Sequence, residues 1–230
     1  MYQLTPSQLN LYQDCPRCFW VEIHEKVQRP AVVSPLFGGM DLILMKYTDQ
    51  YRLKGNLPAE LQKTIEGVFL PEQDLIKKWR NPKSALSFQD KDRGVDFSGT
   101  LDECVVRKNE NGESLHIPLI FQTRGLASNE QNHDQHHQMK LDCYDLLLQK
   151  NGYQTGSTGY VVYYIPEEVR ESGVVQFNVQ VIQLVTESKR AMNLIAEVSE
   201  VLSGKMPEGG QNCEYCAWGN LGARLSRNSG

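Results

Sequence analysis

Apolar positions along this chain recur with two periods, and the switches between them divide it into elements. Thr5-Pro6-Ser7-Gln8 reads as a capping box with proline at the first helical position, so a helix opens there and is broken at Pro16. A second piece, CFWVEIHEK, continues until Pro30 and Pro35 interrupt it. After Gly38-Gly39, residues Met40, Ile43, Leu44, Tyr47 and Tyr51 fall at helical spacing and predict an amphipathic core helix of about four turns. Residues 54–84 carry three prolines and predict loops with short helical turns, including EQDLIKKW.

The period then shortens to two. ALSFQ, DFSGTLDECVVR and LHIPLIFQT read as strands, separated by Asp92-Arg93-Gly94 and by a turn ending in Asn111-Gly112, which predicts an antiparallel meander. From about Gln131 to Lys150 the spacing returns to helical. Leu141, Tyr144 and Leu148 lie on one stripe, Met139, Cys143 and Leu147 on the next, and Asn151-Gly152 closes the helix. TGYVVYYIP reads as a buried strand and VVQFNVQVIQLV as an alternating one, and a last helix opens at Thr186 and stops at Gly204. The core order is therefore αβββαβ, an α/β (α+β) arrangement with a mixed central sheet flanked by helices.

Composition narrows the function classes. The 230 residues are 40% hydrophobic and 23% charged, with a net charge of -4, which fits one domain over 1–230 and offers no overall positive field for nucleic acid or membrane. Without a signal-like start or a long apolar run, a cytoplasmic protein with no membrane contact is expected. Six cysteines in a reducing compartment argue for metal or buried thiols before disulfides. Cys104 and Cys143 sit among apolar neighbours and read as small hydrophobes. Cys15-Pro-Arg-Cys18 and Cys213-Glu-Tyr-Cys216 are two C-x-x-C pairs, the four-thiolate inventory of a zinc or iron-sulfur site, against four cysteines with no common partner. A shared ion would join segments 1–30 and 205–218 into one lobe beside a core of about 38–185.

Asp102 places a carboxylate among the apolar residues Leu101, Cys104, Val105 and Val106, where it needs water, a cation or a metal. The histidines His133, His136 and His137 include an i, i+4 pair, but their context reads as a solvated helix start. Trp20, Trp79 and Trp218 read as packing residues, with Trp218 expected to shield the cysteines.

The element order, with Gly99-Thr100-Leu101-Asp102, Phe121-Gln122-Thr123-Arg124-Gly125 and Tyr144, resembles the PD-(D/E)XK nuclease superfamily. Within it the chain is similar to the RecB-like branch of CRISPR adaptation exonucleases and AddB-type iron-sulfur nucleases. LTPSQLNLYQDCPRCFW and NCEYCAW look like that branch's opening and closing cysteine motifs. The resemblance implies a restriction-endonuclease-like core, DNA (single strands or duplex ends) and possible protein partners in a DNA-processing assembly. It also implies a [4Fe-4S] cluster, or zinc, on Cys15, Cys18, Cys213 and Cys216.

Active members hold Mg²⁺ or Mn²⁺ with an aspartate and a second carboxylate, and a lysine stabilises developing charge. Here Asp102 matches the first position and would be a weak metal site alone. Ile120 stands for the second carboxylate, Gln122 for the lysine, and Lys140 for the glutamine of the branch's Q-x-x-x-Y motif, with Tyr144 retained. The first core helix lacks the branch's histidine, leaving Asp41. These departures imply an impaired centre in a nucleic-acid-binding or assembly subunit, with a Lys140–Asp102 ion pair neutralising the old cavity. A divergent exonuclease using Asp102 and a migrated Lys140 is the alternative, with Glu103, Glu22 or Glu25 as a second acid. A structural interaction protein that does not touch DNA is the third.

Overall fold

The computed structural model describes residues 1–30, 35–124 and 133–227; Gly125 of the third-strand motif and the helix start expected at about Gln131 lie outside them. The chain is α+β with two mixed sheets. A three-stranded sheet joins β1 (Tyr2–Leu4), β4 (Val95–Gly99) and β3 (Leu86–Asp90), with β1 parallel and β3 antiparallel to β4. A five-stranded sheet runs β2 (Val68–Phe69), β5 (Glu103–Lys108), β6 (Ser114–Thr123), β7 (Thr158–Val169), β8 (Val175–Val185), in which only β6 and β7 pair in parallel.

Side-chain alternation divides the large sheet between two cores. Ile120, Val161 and Tyr163 face a layer that includes α1 (Pro6–Asp14), α2 (Pro16–Glu25), α5 (Gln73–Arg80), α6 (His133–Lys150) and α7 (Ser188–Ser203). Leu119, Tyr160, Val162 and Tyr164 face the other way, toward α3 (Pro35–Leu53) and α4 (Ala59–Gln62). The two stripes expected on α6 are all buried. Cys104 and Cys143 are buried in the same helical layer, and burial pushes both thiols up.

Three expectations are corrected. The long strand read through residues 96–107 is two strands in different sheets, so the meander is two separate hairpins. The break lies at Thr100–Asp102: the Leu101 amide donates to the Trp79 carbonyl (3.2 Å), and a Cβ on Gly99 would meet Leu147 Cδ1 at 2.9 Å and Pro6 Cγ at 3.1 Å, so a glycine lets the strand end close against α6 and α1. On α3, Leu44 is buried but Ile43 is 58% exposed, because the helix covers a narrower part of the sheet than its apolar stripe. Thr186 precedes the last core helix, whose N-cap is Glu187.

Candidate metal centre and the Asp102 site

The thiol groups of Cys15, Cys18, Cys213 and Cys216 come together, all within 4.8 Å of one another. Each pair does this in the same way, with one cysteine just before a helix and its partner in the first turn. Cys15 joins α1 to α2 as the C-cap of the first and the N-cap of the second, Pro16 opens α2, and Cys18 follows within it. Cys213 precedes α8 (Glu214–Arg227) and Cys216 lies within its first turn. The N-terminal ends of two helices therefore converge on the sulfurs, where their dipoles favour thiolate.

The sulfur separations are 3.6 Å for Cys15–Cys216, 3.6 Å for Cys18–Cys213 and 3.7 Å for Cys18–Cys216. These exceed a disulfide bond of about 2.05 Å, and all four cysteines are unbridged. Surrounding groups supply partners for negative sulfur. The Gly210 amide donates to Cys15 Sγ (3.2 Å), and Arg29 Nη2 donates to Cys213 Sγ (3.4 Å). Burial pushes the Cys15 thiol up, but the Gly210 amide and the neighbouring cysteines outweigh it and hold the thiol at about 6. The donor set fits a metal ion.

Sequence reasoning missed the support of this centre. A Cβ on Gly210 would meet the Asp14 carbonyl at 2.8 Å, and one on Gly209 would meet Cys216 Sγ at 2.9 Å. Gly209-Gly210 is thus the readable signal that backbone passes hard against the sulfurs. Arg29 also pairs with Asp14 (3.6 Å) and lies over the Tyr215 ring (5.0 Å). Trp218 does not shield the cysteines: it is 77% exposed, since α8 turns that face outward.

The second site lies at the break between β4 and β5. Asp102 sits on the bend, not within a strand as expected, and Arg80 holds it there by donating from Nε to its carbonyl (2.9 Å). Arg80 also reaches Asp49 and Glu103, each at 3.0 Å, and Arg52 pairs with the same Glu103 carboxylate. Glu103 is fully buried between the two arginines and is unavailable as a second acid. Glu22 accepts from Gln8 on α1, and Glu25 is exposed at the end of α2.

Lys140 Nζ lies 3.4 Å from Asp102 Oδ2, each side chain 27% exposed. The expected ion pair is present. Lys140 also lies 5.5 Å from the ring centroid of Tyr144, whose hydroxyl is pushed well up by burial and by the Asp102 charge. Ile120 is 1% exposed within the helical core, and the Gln122 amide donates to the Thr123 carbonyl (3.2 Å). Asp41, near the start of α3, is felt by both members of the pair. Partial desolvation and the Asp102 charge raise its carboxyl above the ordinary range, opposed by Lys140. His137 packs edge-on against Tyr163, while the His133 and His136 side chains lie outside the described residues. Trp79 is buried and Trp20 stacks on His24 (4.2 Å), as packing residues should.

No protein-family model and no curated protein matches the chain. Among the described residues, no helix is long and apolar enough to cross a membrane.

Proposed function

We propose that this is a RecB-like PD-(D/E)XK nuclease-fold protein of the cytoplasm, whose catalytic centre is impaired and which binds DNA, alone or within a DNA-processing assembly. The observation that carries the reading is the Lys140–Asp102 ion pair beside Ile120. An aspartate on the bend before β5, a helix lysine and a buried tyrosine meet at one partly exposed spot, behind a sheet whose two faces carry helices. Ile120, where the resemblance calls for a carboxylate, is sunk in apolar core.

A divalent ion bound there would polarise a phosphate and activate water. Asp102 and Asp41 are the carboxylates that could hold it, and Lys140 already neutralises the first. Lys140 offsets one of the two carboxylate charges and leaves a net single negative charge, the low end of what holds a hard cation together with substrate phosphate. Phosphate binding survives such a loss better than cleavage does, because an ammonium can still meet a backbone phosphate once it leaves Asp102.

The test is fluorescence anisotropy of single-stranded and blunt duplex DNA across a salt series, with a parallel cleavage assay in Mn²⁺. Binding that weakens as salt rises, without cleavage, is the expected result. Cleavage that disappears in Asp102→Ala would replace this reading with a second one, in which Asp41, within electrostatic reach of Asp102 and Lys140, is the further acid. That reading is a divergent exonuclease, and Lys140→Gln would then lower its rate by orders of magnitude. Absence of salt-dependent binding would leave a structural interaction protein.

At the cysteines we propose one tetrahedral ion, zinc, in preference to a [4Fe-4S] cluster. Four thiolates about 2.3 Å from one tetrahedral ion sit about 3.8 Å apart, close to the separations found here. A cubane gives each thiolate its own iron and spreads the sulfurs further, by the spacing between irons. The ion's contribution is structural closure with no open coordination position. A colourless protein with one zinc per chain is expected; brown protein with iron and sulfide would assign the cluster.

A further inference from the structure

Three of the four edges of the two sheets are blunted. β2 has two residues and β1 three, while β3 has five and ends at Asp90, which is tied to Arg93 (2.8 Å). Short edges and edge charges are the usual means of preventing sheets from pairing with one another. The fourth edge has neither.

β8 runs for eleven residues, VQFNVQVIQLV, without a charge or a proline. Its ladder partner is β7, from Thr158↔Val185 to Val169↔Val175, and no other described strand pairs with it. The irregularity in that ladder falls beside Pro166 and Glu168 on β7, leaving β8 itself continuous. Among the described residues, one row of backbone donors and acceptors therefore faces outward along the strand as far as Leu184; at its end the Val185 carbonyl already accepts from Gln138 Nε2 (2.9 Å) and Arg190 Nη2 (2.8 Å). The chemistry that satisfies such a row is another extended strand.

We infer that this edge joins two copies of the chain, β8 pairing antiparallel with its counterpart across a twofold axis at Gln180. The strand is suited to itself. Centred on Gln180, the pairing sets Val179 against the other copy's Val181, and Val175 against its Val185. An uncharged strand meets its twin without like-charge repulsion between the strand residues themselves, and the charge of Arg190, at Val185, lies at the end of the ladder, away from the axis. Side-chain alternation is preserved as well: Phe177, Val179 and Val181 pack on the core beneath α3, and the twin continues the same apolar row. Val175 and Val185, 43% and 70% exposed, gain cover at the two ends of the ladder. A charged or proline-bearing peptide from another protein would fit this edge less well than a second copy.

Light scattering on the full chain across micromolar concentrations tests this. The expected mass is twice the 26.2 kDa of one chain. Gln180 is exposed, so charging it leaves the fold intact while placing two like charges on the axis. Gln180→Lys and Gln180→Glu should each give the single-chain mass at unchanged melting temperature, and an equimolar mixture of the two should return to double mass. A wild-type protein of single mass, a dimer indifferent to both substitutions, or a mixture that stays at single mass would overturn the inference.

Discussion

Arg29 is the cation that the structure sets against the cysteine sulfurs. Its guanidinium donates to Cys213, pairs with Asp14 and lies over Tyr215, so a long side chain is held in one place. Four thiolates around a divalent ion carry excess negative charge, and a fixed donor to one sulfur lowers the cost of gathering them. Arg29→Gln keeps a donor but removes the charge, and should weaken metal retention about 10-fold, read as faster transfer to a chromophoric chelator. Transfer at the wild-type rate would reduce Arg29 to a packing residue. At Asp102 the lesson differs. Its residue type was readable as a charge needing a partner, and Lys140 was a candidate, but the brace from Arg80 was not. Arg80 lies 22 positions away in a stretch whose only legible feature was a short helix.

Among the elements, α6 shows how a helix can bury acids as well as apolar stripes. Asp142 has no exposed side-chain surface. It accepts from Arg190 Nε (2.7 Å), Arg190 Nη2 (2.8 Å) and the Glu187 amide (2.8 Å), and so fixes the start of α7 against α6. This explains why α7 begins after Glu187 and not at Thr186: the partner of its first amides is on another helix. Asp142→Ala should destabilise the fold by about 2 kcal/mol in urea unfolding, less than for a fully buried pair because Arg190 is 40% exposed and can return to water. A change within about 0.5 kcal/mol would show the tie to be incidental. The strand read as continuous through Asp102 failed for a related reason. Apolar alternation persists across the break, and only the approach of Trp79 and Leu147 from distant segments separates β4 from β5.

Over the whole molecule the cysteine centre connects residues 15–18 with residues 213–216, close to both ends of the chain. The N-terminal elements have other ties, such as Tyr2 and Tyr12 bonded to α7 at Leu202 and Glu197, whereas α8 packs chiefly on α2. An ion bound only in the folded state adds its binding free energy to folding. Stripping the metal with a strong chelator should therefore lower the melting temperature by about 5–10 °C, and Cys213→Ser should do the same and then ignore the chelator. An unchanged melting temperature would mean that the sulfurs meet without a resident ion. What the sequence determined by itself was local: the capping box, the α6 stripes, the strand periods and the two thiol pairs, because each depends on neighbours within a few positions. Tertiary structure decided the split of one apparent strand between two sheets, the packing of the converging pairs around Gly209-Gly210, and the brace of Asp102 by Arg80. Those outcomes depend on close approaches between segments far apart in the chain, for which short-range periodicity carries no signal.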